Sequence, residues 1–200
     1  PFDMPAHPSA GNHDNTLANA LMYYYGSQNK PFVYRCINRL DRDTTGLTIV
    51  AKHALAGGIL GNAVAKRAIH RTYYAVCSGC TPAYMRISAP IARKDASTIE
   101  RCVDFKRGEN AVTDFIRIKY NPDNNLSLVK LRLLTGRTHQ IRVHMKYIGF
   151  PLIGDFLYNP DYTYISRQAL HSGRLVFTHP VTGQKMNLIS DIPSDMKSLF

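Results

Sequence analysis

Residues 38 to 52 read NRLDRDTTGLTIVAK. Arg39 and Asp41 stand two positions apart there, and a second cation–carboxylate pair, Arg42 and Asp43, follows directly. On an extended backbone, residues i and i+2 share a face, which sets the Arg39 guanidinium beside the Asp41 carboxylate. A neighbouring cation favours the ionised form of a carboxylate. A carboxylate held ionised and oriented is a nucleophile or a general base. Taken alone, these residues also fit a surface ion pair in a turn.

The second dense stretch is LLTGRTHQIRVHMKYIGFPLIGD, residues 133–155. It packs Arg137, His139, Gln140, Arg142 and His144 into eight residues. Thr135-Gly136 permits a close backbone approach, and Thr138 is placed to cap a following helix. A helix N-terminus beside arginines is a natural phosphate site. A charged amphipathic helix is the alternative reading. His139 and His144 are five apart, which does not fit HExxH, so the spacing speaks against zinc. Four cysteines stand at 36, 77, 80 and 102. Cys77 and Cys80 form a lone CxxC with no second pair of ligands, which reads as free thiols in a reducing cytosol. A redox pair or a metal is the minor alternative.

Several elements must hold these residues. Asp14, Asn15 or Thr16 can cap a helix carrying Leu17, Ala20, Leu21 and Tyr24 on one face and ending near Gly26. Residues 47–52 read as a buried strand, and 53–69 as a helix weakened by Gly57, Gly58 and Gly61. RTYYAVCSG is rich in strand formers. Strands are expected at 86–92, 98–105, 112–120 and 126–134, with YNPDNN as a hairpin turn. THQIRVHMKYIG has helical spacing, with Ile141, His144 and Tyr147 on one side. Two more strands fall near 174–179 and 185–190. Many antiparallel-looking strands with three or four helices make an α+β pattern.

The chain has 200 residues, 25 Lys and Arg against 14 Asp and Glu, and a formal net charge of +11. That length suits one domain, or one domain with a lobe. The excess charge favours a polyanion, most often nucleic acid. An anionic membrane surface or simple solubility would use the same charge. No apolar run approaches the roughly 20 residues that span a bilayer. The opening PFDMPAHPSAGNHD lacks the basic and apolar regions of a signal peptide. It also has no preceding strand or cap, which leaves room for an upstream module. No internal repeat is present.

Taken together and in order, the motifs resemble the RluA-type RNA pseudouridine synthases of the RluA/RsuA superfamily. NRLDRDTTGLTIVAK is similar to that family's HRLDxxTSGLxxxAK, and RTYYAVCSG to KxYxAxVxG. TGRTHQIRVHMKYIGFPLIGD is similar to GRxHQIRxHxxxxGxPIxGD. PAHPS resembles a truncated KPxGxxVHP, and QALHSGRLVFTHPVTG the usual tail. The matches run from about residue 5 to 183. Asn38 departs from the usual His, and Arg71 from the usual Lys.

The resemblance implies a fold and a chemistry. The fold would be a mixed, mainly antiparallel sheet with helices and loops around a central basic cleft, making one catalytic domain over residues 1–200. The reaction would cleave the N-glycosidic bond of a uridine, turn the base, and join C5 to C1′, with no cofactor and no metal. Asp41 would be the essential carboxylate, with Arg39 beside it. Arg142 would face Asp41 as its ion-pair partner. Tyr73 would stack on the flipped base and help remove the C5 proton. Leu40 and Val143 would be apolar walls, while Arg137 and His139 would hold backbone phosphates. The partner would be structured ribosomal or transfer RNA, and the protein a cytoplasmic monomer with no membrane contact. A non-catalytic RNA-binding or ribosome-assembly module on the same fold is the alternative. A metal-dependent nuclease would need clustered acidic or His ligands, which the sequence does not offer.

Overall fold

The structure, a computed structural model, describes residues 1–9 and 11–200. In chain order its elements are α1 (Leu17–Gly26), β1 (Thr45–Gly46), α2 (Ala54–Ala65), β2 (His70–Ser78), β3 (Tyr84–Ser88), β4 (Ile91–Arg93), β5 (Arg101–Val103), β6 (Val112–Asn121), β7 (Leu126–Leu133), α3 (Gln140–Tyr147), β8 (Leu170–Thr178), β9 (Lys185–Ile189) and α4 (Ser194–Lys197). The chain divides into two compact units. One comprises Pro1–His70 and Arg174–Ile189, the other Arg71–Gly173 and Ser190–Phe200.

In the first unit, α1 starts as its sequence predicts. The Thr16 side chain accepts from the Asn19 N–H and satisfies one of the orphan donors of the first turn. The predicted strand at 47–52 is corrected. Beyond β1 the chain makes only an isolated bridge, Cys36 to Val50. Backbone bonds join Ile37 to Ile49 at 2.8 Å and Ala51 to Arg35 at 2.9 Å. The Ile49 N–H is claimed by the Asn38 side-chain oxygen at 2.7 Å, so a side chain supplies a rung that a strand would have supplied. The run is buried all the same: Ile49 and Ala51 pack with Ala56, Leu60, Ile69, Leu175 and Phe177. The helix expected over 53–69 ends at Ala65. His53 caps it through Nδ1, and Arg67 has turned to φ 57°. The strand β9 pairs antiparallel with the second half of β8, Arg174 opposite Ile189.

In the second unit, β2, β7, β6 and β3 lie side by side, each antiparallel to the next. Alternation along β7 buries Val129 and Leu131 and exposes Lys130 and Arg132. The strand expected at 86–92 is two strands, broken where Pro90 can donate nothing to a ladder. Its second half, β4, turns away to pair with β5, which occupies only 101–103 of the expected 98–105. The helix expected over 138–149 spans Gln140–Tyr147, and its N-cap is His139 rather than Thr138. One apolar cluster joins Val76, Leu126, Ile153, Ile165, Ala169 and Met196; a second joins Ile91, Ala111, Val143 and Tyr158. The architecture is α+β with a mainly antiparallel sheet.

Candidate functional site

In the first unit, Asp41 sits half-buried at the start of a turn, where its carbonyl accepts from the Thr44 N–H at 2.9 Å. Asn38 braces this loop from inside. Its amide accepts from Ile49 and donates to the Leu47 carbonyl at 3.4 Å, while Thr48 Oγ donates to the Asn38 carbonyl at 2.6 Å. A buried amide with both a donor and an acceptor satisfied holds a loop shape. This is the work done by the residue that departs from the family pattern. Arg42 and Asp43 bond each other through two nitrogens and two oxygens, at 3.1 and 3.0 Å. That fork makes the second pair of the motif a brace of the turn. Arg39 is exposed and Leu40 half-buried.

The second unit carries the residues of the other two motifs. Tyr73 lies buried on β2 opposite Leu131, on the face that it shares with Ala75. Arg142, in the first turn of α3, is 2% exposed and meets Asp155, which is 0% exposed. Nε donates to Oδ2 at 2.6 Å and Nη2 to Oδ1 at 2.7 Å. This fork-to-fork geometry is the strong form of the pair and fixes the guanidinium plane. Asp155 Oδ1 also accepts from the N–H groups of Leu157 and Tyr158, at 3.1 and 3.2 Å. Asp155 closes the third motif, yet its place in the sequence gives it no role. The available signal is the Gly-Asp pair itself. Gly154 has φ 67°, and a Cβ there would stand 2.1 Å from the Arg167 carbonyl oxygen. Only glycine delivers the aspartate at that place.

The loop before α3 is held by Gln140. Its Oε1 accepts from Thr135 Oγ at 2.8 Å and from the Arg137 N–H at 2.9 Å. Its Nε2 donates to the Val112 carbonyl and to Thr113 Oγ, both at 3.0 Å. All four capacities of the amide are used. His144 extends the network. Its Nε2 lies 2.9 Å from the Ala89 carbonyl and its Nδ1 2.9 Å from Thr113 Oγ, so Nε2 carries the proton. Burial holds this imidazole below its ordinary pKa. Between Arg137 and Gln140, His139 adopts the left-handed conformation at φ 56°, uncommon for a residue with a side chain. Its Nδ1 is 2.9 Å from the Tyr158 hydroxyl. Burial raises the Tyr158 pKa to about 12, so the phenol stays protonated.

Beside this loop lies a groove of about 480 Å³ whose lining includes Arg93, Arg101, Arg107 and Arg137, with Glu109, Gly136 and Thr138. The Arg137 guanidinium bonds Glu109 and the Asn110 carbonyl. Arg107 pairs with Asp104 at 2.7 Å, so four cations stand against two carboxylates, and the remaining positive charge makes the groove attractive to a polyanion. Composition indicates the excess charge; the folded chain gathers four of its cations here. Val143 is buried against Ile91, Ala111 and Tyr158. Cys77 is buried, and its thiol is pushed up by desolvation; Cys80 is exposed. Among the described residues no group of three His, Cys, Asp or Glu side chains is placed to hold a metal ion, and no helix is long and apolar enough to cross a membrane.

Comparison with known proteins supplies the context. The family model described as RNA pseudouridylate synthase matches residues 1–147. The uncharacterised RNA pseudouridine synthase YhcT of Bacillus subtilis is 38% identical over 200 residues, covering 100% of this chain and 66% of the relative. Ribosomal large subunit pseudouridine synthase D of Zymomonas mobilis is 38% identical over 217 residues, covering 100% and 67%. The chain thus spans about two thirds of the length of these relatives. A solved structure, human RNA pseudouridylate synthase domain containing 1, superposes with a TM-score of 0.77 at 24% identity, over 96% of this chain and 77% of that one. At that identity the likeness speaks for the fold.

Proposed function

Because the chain belongs to the RluA-type RNA pseudouridine synthases, a family of isomerases, we propose that it converts specific uridines of ribosomal or transfer RNA to pseudouridine. The observation that carries the reading is Asp41, retained in the family's loop motif and held there by the Asn38 brace. In the proposed reaction the C1′–N1 bond breaks with Asp41 as the essential carboxylate. The freed base turns and C5 bonds to C1′. The C5 proton then leaves and N1 regains one, so the product is an isomer and no cofactor or metal takes part. Arg142, whose Nε and Nη2 donate to Asp155, would be the ion-pair partner of the essential carboxylate. Tyr73 would stack on the extruded base, which is worth roughly 1–3 kcal/mol, and help to remove the C5 proton. Arg39 would stand beside the essential carboxylate, Leu40 and Val143 would be apolar walls, and His139 would hold a backbone phosphate. The groove of Arg93, Arg101, Arg107 and Arg137 supports an RNA partner, with the phosphodiester backbone along it. Residues 1–200 would act as one catalytic domain, in a cytoplasmic monomer. The name of the Zymomonas relative makes large-subunit ribosomal RNA the first substrate to try.

The test is tritium release from ribosomal RNA labelled at uridine C5, with the parent and Asp41→Asn. The parent should release tritium and the variant should lose at least a hundredfold in rate while keeping its fold. An Asp41→Asn rate within tenfold of the parent would remove Asp41 from the mechanism. RNA binding with no release by the parent would favour the non-catalytic module.

A further inference from the structure

Tyr158 is 5% exposed and touches both functional ends of the third motif. Its hydroxyl oxygen accepts from the Arg101 backbone N–H at 2.8 Å. The same oxygen lies 2.9 Å from His139 Nδ1, with the two rings edge to face at 81°. The buried phenol keeps its proton, and Nδ1 is the acceptor at hydrogen-bond distance from it, so the arrangement that satisfies this O–H is donation to Nδ1. A neutral imidazole that accepts at Nδ1 carries its proton on Nε2. The face of the Tyr158 ring lies 5.0 Å from Arg142 Cζ, within the range of a cation–π contact. The ring is placed by Asp155, whose carboxylate accepts the Tyr158 N–H and both engaged nitrogens of Arg142. One carboxylate therefore sets the guanidinium and the ring together.

We propose that Tyr158 is a positioning residue of the reaction: its hydroxyl fixes His139 in the Nε2–H tautomer and its ring seats the Arg142 guanidinium. The proposal rests on the functional reading above and adds a residue that the reading does not use. A phenylalanine would fill the same volume and serve packing equally well. The hydroxyl is needed for two bonds only, one to His139 and one to the strand that carries Arg101. The His139 backbone adds to the case. A non-glycine residue held at positive φ is strained, and such strain persists where the surroundings over-determine it. Gln140 on one side and Tyr158 on the other supply that determination.

Two variants of the full chain separate positioning from packing. Tyr158→Phe keeps the ring; Tyr158→Leu removes the ring as well. The first readout is the ¹⁵N signature of the His139 ring at neutral pH. The parent should show Nδ1 as acceptor and Nε2 protonated, and the Phe variant a mixture of tautomers. The second readout is kcat and KM on C5-tritiated ribosomal RNA, corrected for the folded fraction. Tyr158→Phe should lower kcat by roughly tenfold with KM within twofold, and Tyr158→Leu should lower kcat further, toward roughly a hundredfold. A Phe variant with the parental tautomer and parental kcat would overturn the proposal. So would a loss of rate that follows the folded fraction alone. If the parent itself releases no tritium, the functional reading fails, and the tautomer measurement still decides whether Tyr158 sets His139.

Discussion

Asp155→Asn changes one oxygen to an amide nitrogen and removes one charge. Its effect can be worked from four contacts. The side chain accepts Arg142 Nε at 2.6 Å on Oδ2, and on Oδ1 it accepts Arg142 Nη2 at 2.7 Å, Leu157 N–H at 3.1 Å and Tyr158 N–H at 3.2 Å. The asparagine oxygen best takes the Oδ1 place, where three donors meet. Its NH₂ then faces Arg142 Nε–H, donor against donor, in a site where Arg142 is 2% exposed. Removing one partner of a buried ion pair costs about 3–5 kcal/mol. For a chain of this size 1 kcal/mol moves the melting point by roughly 2–4 °C, so Tm should fall by about 6–20 °C. In urea the midpoint should drop with an unchanged slope. The double variant, with Arg142→Met, leaves neither charge behind and should be less destabilised than the sum of the two single variants. A shift below about 2 °C in Asp155→Asn, or strict additivity in the double variant, would refute the reasoning.

Three further outcomes are expected. His144 is held below its ordinary value of 6.5, so the unfolded chain binds more protons between the folded value and 6.5. Its contribution is therefore complete above about pH 6.5 and lost as pH falls, by at most about 1.4 kcal/mol per pH unit. Urea unfolding from neutral pH into the mildly acidic range should show that loss, and His144→Gln should flatten it; an unchanged slope counts against the assignment. Gly154→Ala should cost roughly 3 kcal/mol or more, because its Cβ meets a carbonyl oxygen at 2.1 Å and a positive φ besides. A melting point within about 3 °C of the parent would show that the turn yields easily. Replacing Arg93 and Arg101 by Gln should lower the slope of log K against log salt for RNA by about 0.7–0.9 for each phosphate that they neutralise, with an unchanged slope ruling the groove out as a backbone site.

The sequence by itself determined what depends on neighbours along the chain. Thr16 caps α1 because a hydroxyl one residue before a helix reaches the third N–H, whatever lies around it. The alternation of Leu126–Leu133 and the turn in YNPDNN announce β6 and β7 in the same way. The family motifs are legible because Arg39, Asp41, Tyr73, Arg137 and Arg142 each fall at fixed places in short segments. Where a sequence-based expectation failed, the partner lay elsewhere. The run at 47–52 has the composition of a strand, but whether it pairs depends on what lies beside it, and Asn38 takes the bond at Ile49. Pro90 splits 86–92 because β4 finds its ladder in β5 instead of continuing β3. Tertiary structure alone revealed the carboxylate for Arg142 at Asp155, the junction at Tyr158, and the meeting of four arginines drawn from residues 93 to 137 in one groove. Such pairings rest on the close approach of side chains whose elements fold back on one another, and burial gives them their strength by removing the water that would otherwise solvate each charge.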